Sequence, residues 1–225
     1  MYFSAALLPP HTSTHCIGAA TSPHVTGPYL PQDTPLACPQ AAGGAIDAAG
    51  FTDTTGDLYI VYKVDGNSLS HGGGGPCGNA NGKSPTPIML QQVSALDGST
   101  LINPPIQILD RDGKRDGPLV EAPSLVRTQD GIYVLFFSSN CFNTPLYDTS
   151  YATSRNLTGP YVKAPAPLLT TGMRGLKSPG GASVSKDAKT LIWHADRGDD
   201  KGDARVRQMY MSGIQIQGTT VRLAA

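Results

Sequence analysis

The chain of 225 residues contains few charged side chains and no excess of either sign. Charged residues make up 15% of the sequence, and 17 basic residues balance 17 acidic ones, so the formal net charge is zero. Proteins that bind nucleic acids or anionic membranes carry a basic excess or a basic patch. The sequence therefore predicts neither nucleic acid nor membrane as a partner.

Long apolar runs are also missing. No apolar stretch approaches the roughly 18 residues that a transmembrane helix needs. The opening segment, MYFSAALLPP, is too short for a signal peptide and lacks the basic region with which one begins. We predict that this segment is the middle of a β-strand.

Cysteine is scarce, with only Cys16, Cys38, Cys77 and Cys141. None of them forms a CxxC pair or a His/Cys pair at zinc spacing, so a metal–thiolate site is not expected. Two disulfides in a secreted protein fit better. Three connectivities are possible, and we prefer Cys16–Cys38 with Cys77–Cys141; buried free thiols in a cytosolic protein are the alternative.

Turn-forming residues, by contrast, are abundant. The 26 glycines and 19 prolines together account for one residue in five, while 39% hydrophobic residues still allow a core. Valine, isoleucine, tyrosine and phenylalanine occur in short runs between the turns. This composition favours an all-β protein over a helical one.

The chain contains internal repeats. An ATS tripeptide followed by VTGPYL recurs, 132 residues later, as ATS followed by LTGPYV. A second repeat matches GGAIDAAGF and YIVYK with LVEAPSL and YVLFFS, and SPGGASV with LIWHA is a weaker third copy. In this second repeat, 12 residues separate Asp47 from Tyr59 and 12 separate Glu121 from Tyr133.

Each unit has the pattern of a strand, a tight turn, a hydrophobic strand, a loop and a polar strand. Four-stranded units repeated around an axis are typical of a β-propeller. A β-sandwich also has regular strands, but it does not predict acidic residues at matching positions. We therefore predict one β-propeller domain over residues 1–225. The Gly-rich stretch 67–87 is interpreted as a surface loop pinned by Cys77, because its GKS lacks phosphate-loop spacing.

Two acidic residues occupy matching places in the repeat. The first strand of each propeller blade lines the central channel, so Asp47 and Glu121 should point into one cavity. Two carboxyl groups that meet in a cavity are what cleavage of a glycosidic bond needs. The apolar neighbours of Glu121 in LVEAP favour a general acid. The alternatives are a surface glutamate at a strand start and, for Asp47, a turn residue.

These segments, together with HCIGAATS, the GPY turns and QMYMSGI, resemble glycoside hydrolase family 43 over essentially the whole chain. The family comprises five-bladed propeller arabinanases, arabinofuranosidases and xylosidases, and secreted fungal members are the most similar. The resemblance implies hydrolysis, with inversion, of arabinose- or xylose-containing polysaccharides or oligosaccharides of the plant cell wall. It implies no required cofactor and leaves the sugar and the endo or exo action open.

The resemblance also assigns roles to residues. Glu121 becomes the general acid, Asp47 the modulator of its pKa, and Arg207 an arginine that lines the sugar subsite. His194 matches a histidine near the channel centre, beside which a structural calcium is allowed. From the residues alone, a core histidine and a solvated strand arginine are the alternatives for the last two.

Sugar sites also need aromatic platforms. Phe51, Trp193 and Phe142 are the candidates, and packing in the core is the alternative for each.

One residue of the family pattern has no match here. The general base, an aspartate, belongs to the first blade, and this chain is expected to begin inside the second. The result would be an incomplete five-bladed propeller with about three and a half blades, whose open edges invite self-association. The other acids considered are not obvious substitutes for the base: Asp116 is expected in the loop that enters a blade, and Asp196 is the better of the two candidates. The rival interpretation is an inactive propeller remnant that binds carbohydrate or has no activity.

Overall fold

The computed structural model describes residues 1–69, 76–197 and 206–224. Within these residues the regular structure is almost entirely β, with a few single-turn 3₁₀ helices. Part of the predicted Gly-rich loop, residues 70–75, lies outside the described residues. None of the described helices has the length and apolar character that a membrane crossing requires.

The described strands form one three-stranded and three four-stranded antiparallel sheets, in chain order β1–β3, β4–β7, β8–β11 and β12–β15. The strands are β1 (Tyr2–Ala6), β2 (His15–Thr21), β3 (Leu30–Pro31), β4 (Ala45–Thr52), β5 (Leu58–Val64), β6 (Ile88–Val93), β7 (Leu101–Leu109), β8 (Val120–Arg127), β9 (Tyr133–Ser139), β10 (Ser150–Ser154), β11 (Val162–Lys163), β12 (Leu176–Val184), β13 (Thr190–Arg197), β14 (Arg207–Gln217) and β15 (Thr220–Leu223).

The four sheets are successive blades of an incomplete propeller, as predicted. The first strands of neighbouring sheets lie side by side, β1 against β4, β4 against β8 and β8 against β12. Each four-stranded blade is a simple meander, with its strands in sequence order from the channel outward. This arrangement brings the starts of the inner strands together at one end of the channel.

Three apolar clusters hold neighbouring blades together, one at each junction between sheets. Strand β9 shows why its sequence is apolar at every position. Phe136 faces the cluster shared with the fourth sheet, whereas Leu135 and Phe137 face the cluster shared with the second. Side chains alternate between the two faces of a strand, so a strand buried on both faces is apolar throughout.

The two repeats correspond to repeated structure. In both GPY turns the tyrosine hydroxyl donates to a carbonyl oxygen four residues earlier, Tyr29 to Val25 and Tyr161 to Leu157, each at 3.0 Å. The same sequence therefore builds the same turn at corresponding places in two blades. This equivalence confirms the first repeat as a structural one.

The register of the second repeat is one residue away from the predicted one. Asp47 and Ala122 adopt the same left-handed backbone, with φ of 61° and 51°, and are 75 residues apart. Glu121 pairs with Ser138 as Ile46 pairs with Lys63, so Glu121 precedes the position equivalent to Asp47. The prediction was wrong in this respect because it aligned the copies on Tyr59 and Tyr133, which do not occupy equivalent rungs.

Two disulfides join the four cysteines with the preferred connectivity, Cys16–Cys38 and Cys77–Cys141. The first closes a loop of the three-stranded sheet. The second ties the segment after β5 to the loop after β9, across 64 residues. The predicted attachment of the Gly-rich loop through Cys77 is thus confirmed.

Asp148 is buried beside β9 and gives a testable contribution to the pH dependence of stability. Its carboxylate accepts hydrogen bonds from the Ser139 amide and from the hydroxyls of Ser139 and Ser150. Burial nevertheless raises its pKa from 3.8 to about 6. Because the folded state then holds this proton more tightly than the unfolded state, the contribution to stability falls as the pH rises from about 4 to about 6.

We therefore expect Asp148→Asn to flatten the pH dependence of unfolding. Between pH 4.5 and pH 7 the variant should lose roughly 2 kcal/mol less free energy of unfolding than the wild type, the linkage value for a shift of this size. Urea denaturation at the two pH values measures both differences. Parallel changes in the two proteins would contradict the assignment.

Candidate active site

A cavity of about 500 Å³ opens where the inner strands β4 and β8 begin. Its lining is rich in polar and titratable side chains. It comprises Ser4, His15, Ile46, Asp47, Lys63, Asp65, Asn67, Cys77, Glu121, Ala122, Phe142, Tyr147, Gly181 and His194. The structure thus brings Asp47 and Glu121 into one cavity, as expected from the sequence.

The bulges at the starts of β4 and β8 allow both acids to reach the cavity. The ladder shifts register between Ile46 and Ala49 and again between Glu121 and Ser124. A bulge adds a residue to one strand and redirects the side chains beside it. Two acids at adjacent rather than identical positions can therefore face the same space.

Asp47 is held from both neighbouring blades. Its amide donates to Ser4 Oγ at 3.2 Å, and its Oδ2 accepts the amide hydrogen of Ala122 at 2.9 Å. Burial, followed by the charge of Glu121, raises the pKa of Asp47 to about 6, against the opposing effects of Lys63 and the Ala122 amide. The carboxyl is rigidly placed and titrates near neutral pH.

Glu121 faces a cation, which sequence reasoning missed. Lys63, on β5, is 1% exposed. Its Nζ lies 3.2 Å from Glu121 Oε2 and 3.0 Å from Asp65 Oδ1. The apolar setting predicted for Glu121 is therefore not what surrounds its carboxylate. The sequence feature that could have indicated a buried cation is the lysine at the end of YIVYK, an otherwise apolar segment.

Tyr147 is a second neighbour of Glu121 that the sequence did not indicate. Its side chain is 2% exposed and lies close enough to Glu121 for the charge of that carboxylate to act on its hydroxyl. Burial and the charge of Glu121 raise the pKa of its hydroxyl well above the ordinary value. The ring stacks on His194 with 6.3 Å between centroids. Tyr147 thus presents a neutral hydroxyl to the carboxylate.

Arg207 lies behind His194 and does not line the cavity, where a sugar-binding side chain was predicted. Its Nε donates to His194 Nδ1 at 2.6 Å, Nη1 to Asp196 at 3.1 Å and Nη2 to the Ser178 carbonyl at 2.7 Å. These bonds direct the guanidinium into the protein. Arg207 therefore fixes the orientation of the His194 imidazole.

His194 lines the cavity, as predicted, in an orientation set by Arg207. Because Nδ1 accepts the Arg207 hydrogen, the neutral ring carries its proton on Nε2, the nitrogen nearest Gly181. Burial and the adjacent guanidinium lower the pKa of His194. His194 therefore offers a neutral donor.

The surroundings of His194 do not fit a directly coordinated calcium. Calcium takes six to eight oxygen ligands. The cation of Arg207 already occupies Nδ1, and Asp196 is bound to that same cation. Among the residues that the structure describes, no three His, Cys, Asp or Glu side chains are grouped to hold a metal ion.

The predicted aromatic platforms Phe51 and Trp193 lie in the core. Trp193 is 3% exposed and stacks on Tyr210, and Phe51 packs against Tyr59 and Tyr133. Neither lines the acidic cavity. Phe142, the third candidate, does line it and is 48% exposed.

The two acids considered as substitutes for a general base are both engaged elsewhere. Asp116 is buried and pairs with Lys163, and Asp196 is buried and pairs with Arg207. Neither lines the cavity. The acid there besides Asp47 and Glu121 is Asp65, which is bound to Lys63.

Several solved structures with the same architecture are glycoside hydrolases. A thermostable family-43 glycoside hydrolase superposes with a TM-score of 0.77 at 23% identity, covering 100% of this chain and 70% of its own. An endo-1,4-beta-xylanase from Bacteroides thetaiotaomicron gives 0.69 at 22% identity, with the same coverage of both chains. An alpha-L-arabinofuranosidase from Lactobacillus brevis gives 0.71 at 17%, covering 98% of this chain and 70% of its own.

At these identities the structural likeness establishes the fold. Among curated protein sequences none matches the chain. The family model described as "Glycosyl hydrolases family 43", however, matches residues 1–219, nearly the entire sequence. The chain, with its paired carboxyl groups at the channel mouth, belongs to glycosyl hydrolase family 43 and is a glycosidase by descent.

Proposed function

We propose that this glycosidase hydrolyses arabinose- or xylose-containing polysaccharides of the plant cell wall with inversion of configuration. The observation that supports this best is the pair Asp47 and Glu121 in one cavity, each held in place by neighbouring blades. Similar structures include an endo-1,4-beta-xylanase, an exo-1,5-alpha-L-arabinanase and an alpha-L-arabinofuranosidase, whose activities agree with this substrate class.

In the proposed mechanism Glu121 protonates the leaving glycosidic oxygen. An ionised carboxylate nearby favours the protonated form of its partner. Asp47, whose Oδ2 accepts the amide hydrogen of Ala122 next to Glu121, supplies that ionised carboxylate at pH values above its pKa of about 6. His194 and Phe142 are placed to donate to and to stack on a sugar ring at the cavity rim.

Among the described residues, neither acid considered as a substitute for the general base is placed to activate a water molecule in the cavity. Asp116 and Asp196 are bound in ion pairs outside the cavity. This observation favours a second candidate function, in which the chain binds carbohydrate without cleaving it. The two candidates share the same ligand and the same cavity, so they differ only in turnover.

The proposed site of action is extracellular. Two disulfides join all four cysteines, which is typical of proteins that fold in an oxidising compartment. A plant cell-wall polysaccharide is likewise an extracellular substrate. Self-association through open blade edges remains a prediction, to be measured as the molar mass in solution.

The experiment is a comparison of sugar release from arabinan, arabinoxylan and xylan by the wild type and by Glu121→Gln. The anomer first released, followed by ¹H NMR, reports inversion or retention. Release of the inverted anomer by the wild type, and its absence in Glu121→Gln, is expected. Release that persists unchanged in the variant would contradict the proposal.

Binding can be measured separately from cleavage, because Glu121 is the only glutamate in the sequence. A chain labelled with ¹³C at glutamate gives one carboxyl resonance, and arabino- or xylo-oligosaccharides should shift it at constant pH. A shift without sugar release would support the binding function. No shift and no release would overturn both.

A further inference from the structure

Lys63 is a fully buried cation that contacts two cavity acids at once. It is the next-to-last residue of the apolar strand β5 and is 1% exposed. Its Nζ is 3.0 Å from Asp65 Oδ1 and 3.2 Å from Glu121 Oε2. The charge of Lys63 also acts on Asp47, whose ionised form it favours. One ammonium therefore faces three carboxyl groups.

Such a group costs stability unless its charge is satisfied. Removing a charge from water is expensive, and a buried ion pair often contributes less to stability than apolar residues of similar volume. The place of Lys63 at the floor of the cavity suggests a reason to retain the charge. Without a cation, Asp47, Asp65 and Glu121 would repel one another in the same small space.

We propose that Lys63 is a positioning residue for this site, which holds the Glu121 carboxyl toward the cavity and sets the charge balance between Glu121 and Asp47. The proposal rests on the proposed function, because it assigns the proton donor to Glu121. Lys63 itself does not have to touch the substrate. It acts through the two carboxylates that it binds.

The charged and titratable groups around this ammonium come from several elements. β4 supplies Asp47, β8 supplies Glu121, and the segment after β5 supplies Asp65. Tyr147, His15 and His194 also line the cavity. Tyr147 is neutral over the accessible pH range, since the pKa of its hydroxyl is raised well above the ordinary value.

The direct test follows the titration of Asp47 by carboxyl ¹³C NMR in the full chain, with the resonance assigned from its loss in Asp47→Asn. An opposite charge at this range lowers the pKa of an acid by about 1–3 units. In Lys63→Met the midpoint of Asp47 should therefore move up from about 6 by about one unit or more. An unchanged midpoint would overturn the proposal.

Asp65→Asn provides a second variant with the opposite expected sign, should Lys63→Met fail to fold. The charge of Asp65 raises the pKa of Asp47, so its removal should lower the Asp47 midpoint. Lys163→Met is the matched control, because it removes a lysine paired with the buried Asp116 outside the cavity. The control should leave the midpoint where it is; a shift there would mean that general destabilisation moves Asp47.

Kinetics then separate positioning from simple structural support. In Lys63→Met, kcat should fall by about 10²-fold with little change in KM, since misplacement of a catalytic group by about 1 Å has that effect. Lys63→Arg, which keeps the charge, should recover part of kcat. A fall in the amount of folded protein alone would overturn the positioning role. Absence of sugar release by the wild type would instead refute the proposed function, while the Asp47 titration still decides the role of Lys63.

Discussion

The Glu121→Gln variant is expected to cleave unactivated glycosides about 10²–10⁴-fold more slowly than the wild type, the usual contribution of a positioned acid. Glutamine preserves the shape of the side chain and can still accept a hydrogen bond from Lys63, 3.2 Å from Glu121 Oε2. It cannot donate a proton to the leaving oxygen. The loss should therefore appear in kcat rather than in folding.

The leaving group provides the diagnostic measurement. Aryl glycosides with acidic phenols need little protonation as they leave, so Glu121→Gln should cleave them with a much smaller loss than it shows on oligosaccharides. Asp187→Asn, in the exposed turn between β12 and β13, is the control for loss of one negative charge. Equal losses on both substrate types would assign Glu121 a role other than that of the acid.

The fold was predictable because the sequence repeats a local pattern. Strands such as YVLFF, apolar at every position, have to be buried on both faces, and in an all-β chain neighbouring sheets provide that burial. The two GPY turns identified corresponding positions in two blades from the sequence alone. Disulfide connectivity followed the chain order of the cysteines, although the sequence allowed three possibilities.

The site was predictable only in part, because its geometry depends on bulges. Counting from Tyr59 and Tyr133 placed Asp47 and Glu121 at one position, whereas the ladders place them one residue apart. In a regular strand that offset would turn one side chain away from the cavity. The bulges redirect the side chains so that both acids face the cavity, and no residue pattern in the sequence predicts these bulges.

The sequence also could not predict which distant residues become neighbours of Glu121. Lys63 and Glu121 are 58 residues apart, and only the packing of β5 against β8 makes them neighbours. Trp193 illustrates the reverse error. It was predicted as a sugar platform because sugar sites need aromatic rings, but alternation along β13 sends it into the core while His194 faces the cavity.

Gly180→Ala is expected to damage both stability and activity, because Gly180 leaves room for Tyr147. A Cβ at this position would lie 2.1 Å from Tyr147 Cε1 and 2.6 Å from Cδ1. The ring is buried at 2% exposure between this strand and His194, on which it stacks. The ring can relieve this clash only by leaving its stack on His194 and moving toward the cavity, and overpacking of this kind costs about 1–3 kcal/mol.

The same displacement would move the Tyr147 hydroxyl relative to the Glu121 carboxylate, whose charge acts on it. We expect a lower midpoint of urea unfolding and, in the folded fraction, a loss of sugar release larger than the stability change explains. Gly50→Ala is the matched control, since Gly50 lies on the inner strand β4 and its Cβ would meet only Tyr2 at an ordinary 3.5 Å. If both alanine variants behaved alike, the contact between β12 and Tyr147 would not be what orders the acid, and the order of the site would rest on Lys63 and the bulges.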